Sequence, residues 1–223
     1  MSFTFSDQQA LLSTLLGDSN TGSDDAFPSA TRKKMINRGE LQFAKDSKSL
    51  LNYATSTVSS GEISVPSDWL ETFTLIVNNY TLKTDREVSV SDWERYQDYS
   101  GEPAFYYYWQ FSGTRKIKFF GSVNGKTYYL YYFAKPTTEL SGDSDTSWMP
   151  EEYREASVYW AAFELMQQQG KMTIADRYFQ KYTGFVNSAK AQVENQFVTK
   201  YYATPDFNIT NSPATDRQGQ GWP

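Results

Sequence analysis

The sequence contains no cysteine and no histidine among its 223 residues. The protein therefore cannot form disulfides, use a thiol nucleophile or build a catalytic triad around an imidazole base. Zinc sites of cysteine and histidine and haem ligation through histidine are excluded as well. Metal sites built from oxygen ligands and reactions carried by carboxylates remain open. Since a cysteine-free chain is compatible with any compartment, this absence does not locate the protein.

Long apolar runs and an excess of positive charge are also missing. The most apolar run, residues 128–134, is mostly tyrosine and far shorter than the roughly 20 residues of a membrane-spanning helix. The start of the chain lacks a basic segment followed by an apolar one, so we expect no export signal. Lys and Arg number 21 against 26 Asp and Glu, a formal net charge of −5. This balance argues against a protein that binds nucleic acid by neutralising phosphates.

Aromatic residues are abundant instead, with 17 Tyr, 15 Phe and 6 Trp. So many large side chains provide enough apolar surface for a substantial core, which argues against global disorder. The length suggests one large domain, or one domain that carries a large insertion.

Two helices are expected near the start of the chain. Residues 6–16 have leucines along one face, with Ser6 as the expected N-cap and Gly17 as the expected end. Residues 29–47 have the same periodicity, although Gly39 is a weak point within this helix.

Two more helices are expected towards the other end. Pro150 suits a first helical position, and Gly170 marks the end of the apolar pattern that follows it. Thr173 begins a further helical pattern. Because few residues separate the two helices, they should form an antiparallel hairpin.

The middle of the chain, residues 53–135, changes to a period of two and is rich in β-branched and aromatic residues. The pair Asn124-Gly125 predicts a type I′ hairpin between the last two strands. Residues 91–98, with Ser91 as N-cap, interrupt the pattern and fit a short helix. The expected strands are residues 63–65, 73–77, 105–111, 115–122 and 126–134.

These patterns predict an α+β fold, in which a helical bundle of about four main helices carries an inserted antiparallel β-sheet or barrel-like region and an extended C-terminal arm. Residues 1–52 would supply the N-terminal helices, residues 53–135 the β-rich insertion, and residues 136–200 the helical hairpin that completes the core. Residues 201–223 have no periodicity. They fit either a disordered terminus or an arm that becomes ordered against a partner.

Carboxylates are the remaining candidates for chemistry. Asp143 and Asp145 have a spacing that could hold Ca²⁺ or Mg²⁺, but aspartates in such a loop more often bind local backbone amides. Glu151 and Glu152 occupy adjacent helical positions about 100° apart, which favours a role at the helix start over a glycosidase pair. We therefore expect no catalytic residue, no metal and no cofactor.

Basic residues cluster at positions 32–34 and 115–118. A solvated helix face and a lysine-guarded sheet edge explain both clusters without a ligand. Phosphate contact is the alternative.

The aromatic strands pose a different question, because they are apolar on both faces and so need cover on both faces. Part of that cover could come from another subunit, since tyrosine and tryptophan are enriched at interfaces. Core packing alone and a carbohydrate-binding face remain alternatives. The candidate interface residues are Tyr106, Tyr108, Tyr129 and Tyr131.

Three stretches carry a family resemblance. They are ATRKKMINRGELQFAKDSKSLL, EISVPSDWLE, and KTYYLYYFAKPTTELSGDSDTSWMPEEYREASVYWAAFELMQQQG, which together span most of residues 30–170. In this order they resemble the early helix, the strand with its Pro-Ser-Asp turn, and the last strand, acidic loop and Pro-started helix of the head–tail adaptor (connector) proteins of tailed bacteriophages.

The resemblance implies a structural joint and not an enzyme: a homo-oligomeric ring, of twelve copies, that lies below the portal and extends the DNA channel. It implies as partners further copies of the chain, the portal protein and the next tail component, whether tail tube, nozzle or head-closure protein. DNA would pass without sequence-specific binding, and the protein would lie in the virion after assembly in the host cytoplasm. The family's C-terminal arm commonly reaches the portal, which makes Phe207, Ile209 and Trp222 candidate portal contacts.

Two other classes of function compete with this interpretation. An aromatic-rich carbohydrate- or receptor-binding module, of a phage tail or a secreted protein, would expose tyrosine or tryptophan rings in a groove. A carboxylate hydrolase would show turnover that one Asp or Glu substitution abolishes.

Overall fold

The chain folds into two bodies with separate hydrophobic cores, one helical and one made of strands. The structure is a computed structural model that describes residues 3–17, 27–82, 87–89, 93–96, 98–103, 105–111 and 114–203. The predicted mixture of helices and antiparallel strands is confirmed.

The helical bundle consists of four long helices, one of which is almost wholly buried and is surrounded by the other three. Alanine, serine and other small residues on this central helix let its neighbours pack closely against it. The bounds are α1 Phe5–Leu16, α2 Ser29–Ser47, α4 Glu155–Gln168 and α5 Met172–Ala203, with α4 at the centre. A 3₁₀ turn, Glu151–Tyr153, precedes α4.

The first helix begins one residue earlier than the sequence predicts, and its cap differs. Thr4 is the N-cap, and it forms a capping box in which its backbone N–H donates to the Asp7 carboxylate at 2.8 Å. Ser6 lies inside the helix, so its prediction as N-cap is wrong. Gly17 ends the helix with φ of 75°, as predicted.

Helices α2 and α4 run antiparallel and touch at Gly39. A Cβ atom on Gly39 would lie 2.4 Å from the Ser157 carbonyl oxygen, so only glycine permits this approach. The weak point in the helical pattern is therefore a contact site. Further along the same contact between α2 and α4, the Phe43 ring lies 5.9 Å from the Tyr153 ring.

Seven strands form two open antiparallel sheets that pack face to face as a sandwich, so the described residues form no closed barrel. The strands are β1 Leu51–Thr57, β2 Glu62–Ser64, β3 Trp69–Val77, β4 Tyr80–Leu82, β5 Phe105–Phe111, β6 Thr114–Phe120 and β7 Thr127–Ala134. The four-stranded sheet has the order β1-β7-β3-β4, and the three-stranded sheet has the order β2-β6-β5. A short helix, α3 Trp93–Tyr96, precedes β5, and the predicted cap Ser91 lies outside the described residues.

The predicted hairpin at Asn124-Gly125 is wrong. β6 and β7 belong to different sheets, and each is a central strand that already has two partners. The turn instead binds the β1–β2 loop, because the Gly61 N–H donates to Asn124 Oδ1 at 2.7 Å. The positive φ angles that a type I′ turn requires occur at Asn78 and Asn79, between β3 and β4.

The predicted C-terminal arm begins within α5, which continues to Ala203. The rest of that segment, residues 204–223, lies outside the described residues.

Candidate interaction surfaces

The outer face of the four-stranded sheet exposes a row of large apolar side chains. Side chains alternate along β7, so that Leu130 is buried against the other sheet while Tyr129 points outwards and is 41% exposed. On the neighbouring strand Tyr53 is 62% exposed. We call this surface the aromatic sheet face; it consists of Leu51, Tyr53, Phe73, Tyr129, Tyr131 and Phe133.

Cross-strand contacts hold these rings in place. The ring of Tyr53 lies 6.2 Å from that of Tyr131, and the ring of Phe73 lies 5.7 Å from that of Phe133. Phe73 is the extra residue of a β-bulge, which directs its ring onto this face. At the rim, Lys48 lies 5.8 Å from the centre of the Phe133 ring. The face is thus ordered before any partner binds, which lowers the entropic cost of burying it.

The four predicted interface tyrosines lie in two different places. Tyr129 and Tyr131 are on the aromatic sheet face. Tyr106 is fully buried inside the sandwich, and the partly buried Tyr108 donates a hydrogen bond to Thr72 across the two sheets. Burial raises the pKa of Tyr108 to about 12.

The candidate portal contacts, Phe207, Ile209 and Trp222, lie outside the described residues. The candidate interface residues from the sequence also lacked four residues of the aromatic sheet face: Leu51, Tyr53, Phe73 and Phe133. A usable signal was present in LNYATST, where Tyr53 and Thr55 recur with a period of two. That strand had no long apolar run, because only one of its faces meets a core.

A second exposed apolar surface lies on the bundle, on α4 and α5 near the turn that joins them. Phe179 and Phe163 pack at 4.9 Å between ring centres, and Met172 at the start of α5 is 51% exposed. We call this surface the helical tip; it consists of Phe163, Met172, Ile174 and Phe179. The Phe179 ring also lies 6.1 Å from the ring of Tyr182, whose hydroxyl donates to Asp46 near the end of α2.

In the acidic loop before α4, Asp145 binds backbone amides, which is the role that the sequence favours over a metal site. Asp145 Oδ2 accepts from the N–H groups of Ser141 and Gly142, both at 2.8 Å, and these bonds lower the pKa of its carboxyl. Asp143 pairs with Lys33 at 3.5 Å. In the part of the chain that the structure describes, no three acidic side chains are close enough to hold a metal ion.

The other charged candidates also have structural roles. Glu151 and Glu152 are exposed in the 3₁₀ turn, next to the start of α4. Lys116 forms an ion pair with Glu62, and Arg115 lies over the Trp69 ring at 5.3 Å. These contacts explain the residues without a ligand.

One buried carboxyl stands apart from these surface charges. Glu40 is 2% exposed where α1, α2 and α4 meet, and its Oε1 atom has no hydrogen-bond partner among the described residues. Burial raises the pKa of Glu40, while Ser147, Gln8 and Arg154 oppose that rise. The charged form is therefore costly at this position.

We expect Glu40→Gln to raise the free energy of unfolding at neutral pH by about 1 kcal/mol, because the amide keeps the polar contacts without a buried charge. A carboxyl whose pKa is higher in the folded state keeps its proton to a higher pH in the folded than in the unfolded chain. The free energy of unfolding should thus fall as pH rises from 4.5, the ordinary pKa of glutamate, towards the folded pKa. Urea denaturation at pH 4.5 and pH 8 measures this difference.

The exposed Glu152→Gln serves as the control: because it retains Glu40, it should keep both the stability and the pH dependence of the wild type. A wild-type chain that gains stability relative to Glu40→Gln between pH 4.5 and pH 8 would contradict the assignment.

Comparisons with known proteins and families identify the family of the chain. No helix in the described ranges is both long enough and apolar enough to cross a membrane. No curated protein matches the chain. The model of the SU10 adaptor protein family matches residues 3–206, most of the sequence. The chain therefore belongs to the SU10 adaptor protein family, a family of phage head–tail adaptors.

Proposed function

We propose that this adaptor forms a ring of twelve copies below the portal of a tailed phage, where it connects the capsid to the tail and extends the DNA channel. The observation that carries the proposal is the aromatic sheet face. A contiguous exposed surface of tyrosine, phenylalanine and leucine is typical of a contact site. In the proposed assembly of twelve copies, the aromatic side chains of this face are buried against the neighbouring subunit.

A joint also needs contacts in the direction of its axis. The helical tip provides a second exposed apolar surface, on the bundle and separate from the aromatic sheet face. In our proposal the ring contacts the head side and the next tail component, and the helical tip supplies part of these contacts. The role is structural, as in adaptors generally, and requires no cofactor.

The C-terminal arm is the proposed portal contact, with Phe207, Ile209 and Trp222 as its anchors. The test mixes purified protein with portal rings of the same phage and determines the mass of the complex, with and without residues 201–223. Stoichiometric binding that truncation abolishes supports both the adaptor role and the arm. Binding that survives truncation contradicts the arm alone, and absence of binding by folded components contradicts the role.

We expect the double variant Tyr53→Ser, Tyr129→Ser to abolish assembly on portal rings while the monomer keeps its fold. Both side chains are exposed, so their loss removes interface and not core. Negative-stain microscopy and circular dichroism measure the two properties. The control is Tyr99→Ser, a tyrosine of comparable exposure outside the face, and assembly by the double variant at wild-type level would contradict the proposed interface.

The net charge suits a channel through which DNA must slide. Twelve copies at −5 each carry a formal charge of −60, which discourages DNA from adhering to the wall. The assembled ring should bind duplex DNA weakly at 50 mM salt. Tight binding that weakens steeply with added salt would contradict this part of the proposal.

A carbohydrate- or receptor-binding module remains the second candidate, because Tyr53 and Tyr129 are exposed in the isolated chain. Stacking of tyrosine rings on sugars needs such exposure. A glycan array separates the candidates: saturable binding that Tyr53→Ser abolishes would favour the module, whereas the proposed adaptor binds no glycan.

A further inference from the structure

The sandwich and the bundle have separate cores and few contacts between their helices and strands. Every extensive contact between elements of the described chain joins a helix to a helix or a strand to a strand. The buried apolar residues accordingly form two clusters, one in each body. Domains that do not share a hydrophobic interface are expected to move relative to each other.

Two short links connect the bodies. The first, residues 48–50, joins α2 to β1 and starts at Lys48, which has φ of 50°, an uncommon conformation for a residue other than glycine. The second link leaves β7 at Lys135, whose N–H donates to the Asp68 carbonyl at 2.7 Å. It reaches the bundle at Leu140, where Asn37 forms two hydrogen bonds with the backbone, at 2.8 and 2.9 Å. Residues 136–139 therefore span the gap.

The seam between the bodies is open, with both polar and apolar residues along it. Grooves run along both sides of the second link, and Glu40, Lys135 and Glu139 line both of them. An ion pair joins Lys48 Nζ, in the first link, to Glu71 of β3 at 2.6 Å, with side chains 45% and 53% exposed. An exposed pair of this kind contributes little to stability and weakens with salt.

We propose that the sandwich rotates as a rigid body relative to the bundle, about hinges at residues 48–50 and 136–139, and that the Lys48–Glu71 pair restrains the rotation. Each hinge is a short segment between well-packed elements, the usual place where backbone angles absorb a domain movement. The aromatic sheet face and the helical tip then change their relative orientation without any change in either core. The inference concerns the isolated chain and does not depend on the proposed ring.

The test uses spin labels, because a chain without cysteine accepts them only at engineered positions. Two exposed positions report on each body: Ala10→Cys with Asp176→Cys within the bundle, and Ser64→Cys with Lys126→Cys within the sandwich. The pair Asp176→Cys with Lys126→Cys crosses the seam and reuses one label of each internal pair. Electron–electron double resonance on the full chain then gives three distance distributions.

We expect the distribution across the seam to be at least about twice as wide as either internal one. Glu71→Gln should widen it further, whereas Glu152→Gln, an exposed glutamate outside the Lys48–Glu71 pair, should leave it unchanged. A distribution across the seam as narrow as the internal ones would overturn the hinge. An unchanged width in Glu71→Gln would overturn the restraint by the ion pair.

Discussion

Gly39→Ala should lower the free energy of unfolding by about 2–3 kcal/mol, the usual size of an overpacking effect in a rigid core. The new Cβ would lie 2.4 Å from the Ser157 carbonyl oxygen and 2.9 Å from its Cα atom. Both atoms belong to the backbone of a central helix that is packed on all sides, so neither can move without moving α4. The intrinsic preference of helices for alanine, about 1 kcal/mol, is too small to offset this.

Gly184→Ala is the matched control. Gly184 also lies within a long helix, but a Cβ there meets nothing within 4 Å. This variant should be more stable than the wild type, by up to about 1 kcal/mol. Thermal and urea denaturation of the three proteins give the comparison, and equal stabilities of the two variants would refute the close approach of α2 to α4.

Asn37→Ala should lower the free energy of unfolding by about 2 kcal/mol, because it leaves both polar backbone groups of Leu140 without their partner. These two hydrogen bonds fix the second link to α2. Hydrogen exchange measures the effect locally: the Leu140 N–H should exchange faster in the variant than in the wild type. Gln42→Ala is the control, since its side chain bonds only Asp46 on the same helix.

The Asn37 prediction also bears on the proposed hinge. Loss of the bonds to Leu140 lengthens the free part of the second link, so the distance distribution across the seam should widen. If the Leu140 N–H exchanges at the wild-type rate in Asn37→Ala, the bonds do not hold the link in solution.

The helices could be predicted from sequence because their signals are local. The second helix occupies residues 29–47 as expected, and its apolar stripe, with Ile36 and Phe43, faces the core. The strand pairing could not be predicted in the same way. Asn124-Gly125 does form a turn, but whether its flanking strands pair depends on distant strands such as β2 and β3. A two-residue signal cannot report on partners 50 residues away.

The candidate site shows the same limit. Sequence alone indicates that other residues must pack on both faces of the aromatic strands. It does not say which face is buried within the chain's own core. Tyr106 and Tyr129 look alike in the pattern, yet one is fully buried and the other faces outwards. The difference arises because Tyr106 lies on the inner face of its sheet, within the sandwich core, whereas Tyr129 lies on the outer face of the other sheet.

The first and last strands of the sandwich lie side by side, and this has a consequence for the order of folding. The Ala134 N–H donates to the Leu50 carbonyl at 2.8 Å, so the insertion leaves the bundle and returns to it at almost the same point. The paired strands of the described residues lie within residues 51–134, which emerge from the ribosome before α4 and α5. Once the sandwich has folded, it connects α2 to the segment that precedes α4 by a short path instead of a long flexible loop. Most of the entropy cost of closing that loop is then already met before the bundle forms. The bundle, whose core needs residues from both ends of the chain, is then the last part to close.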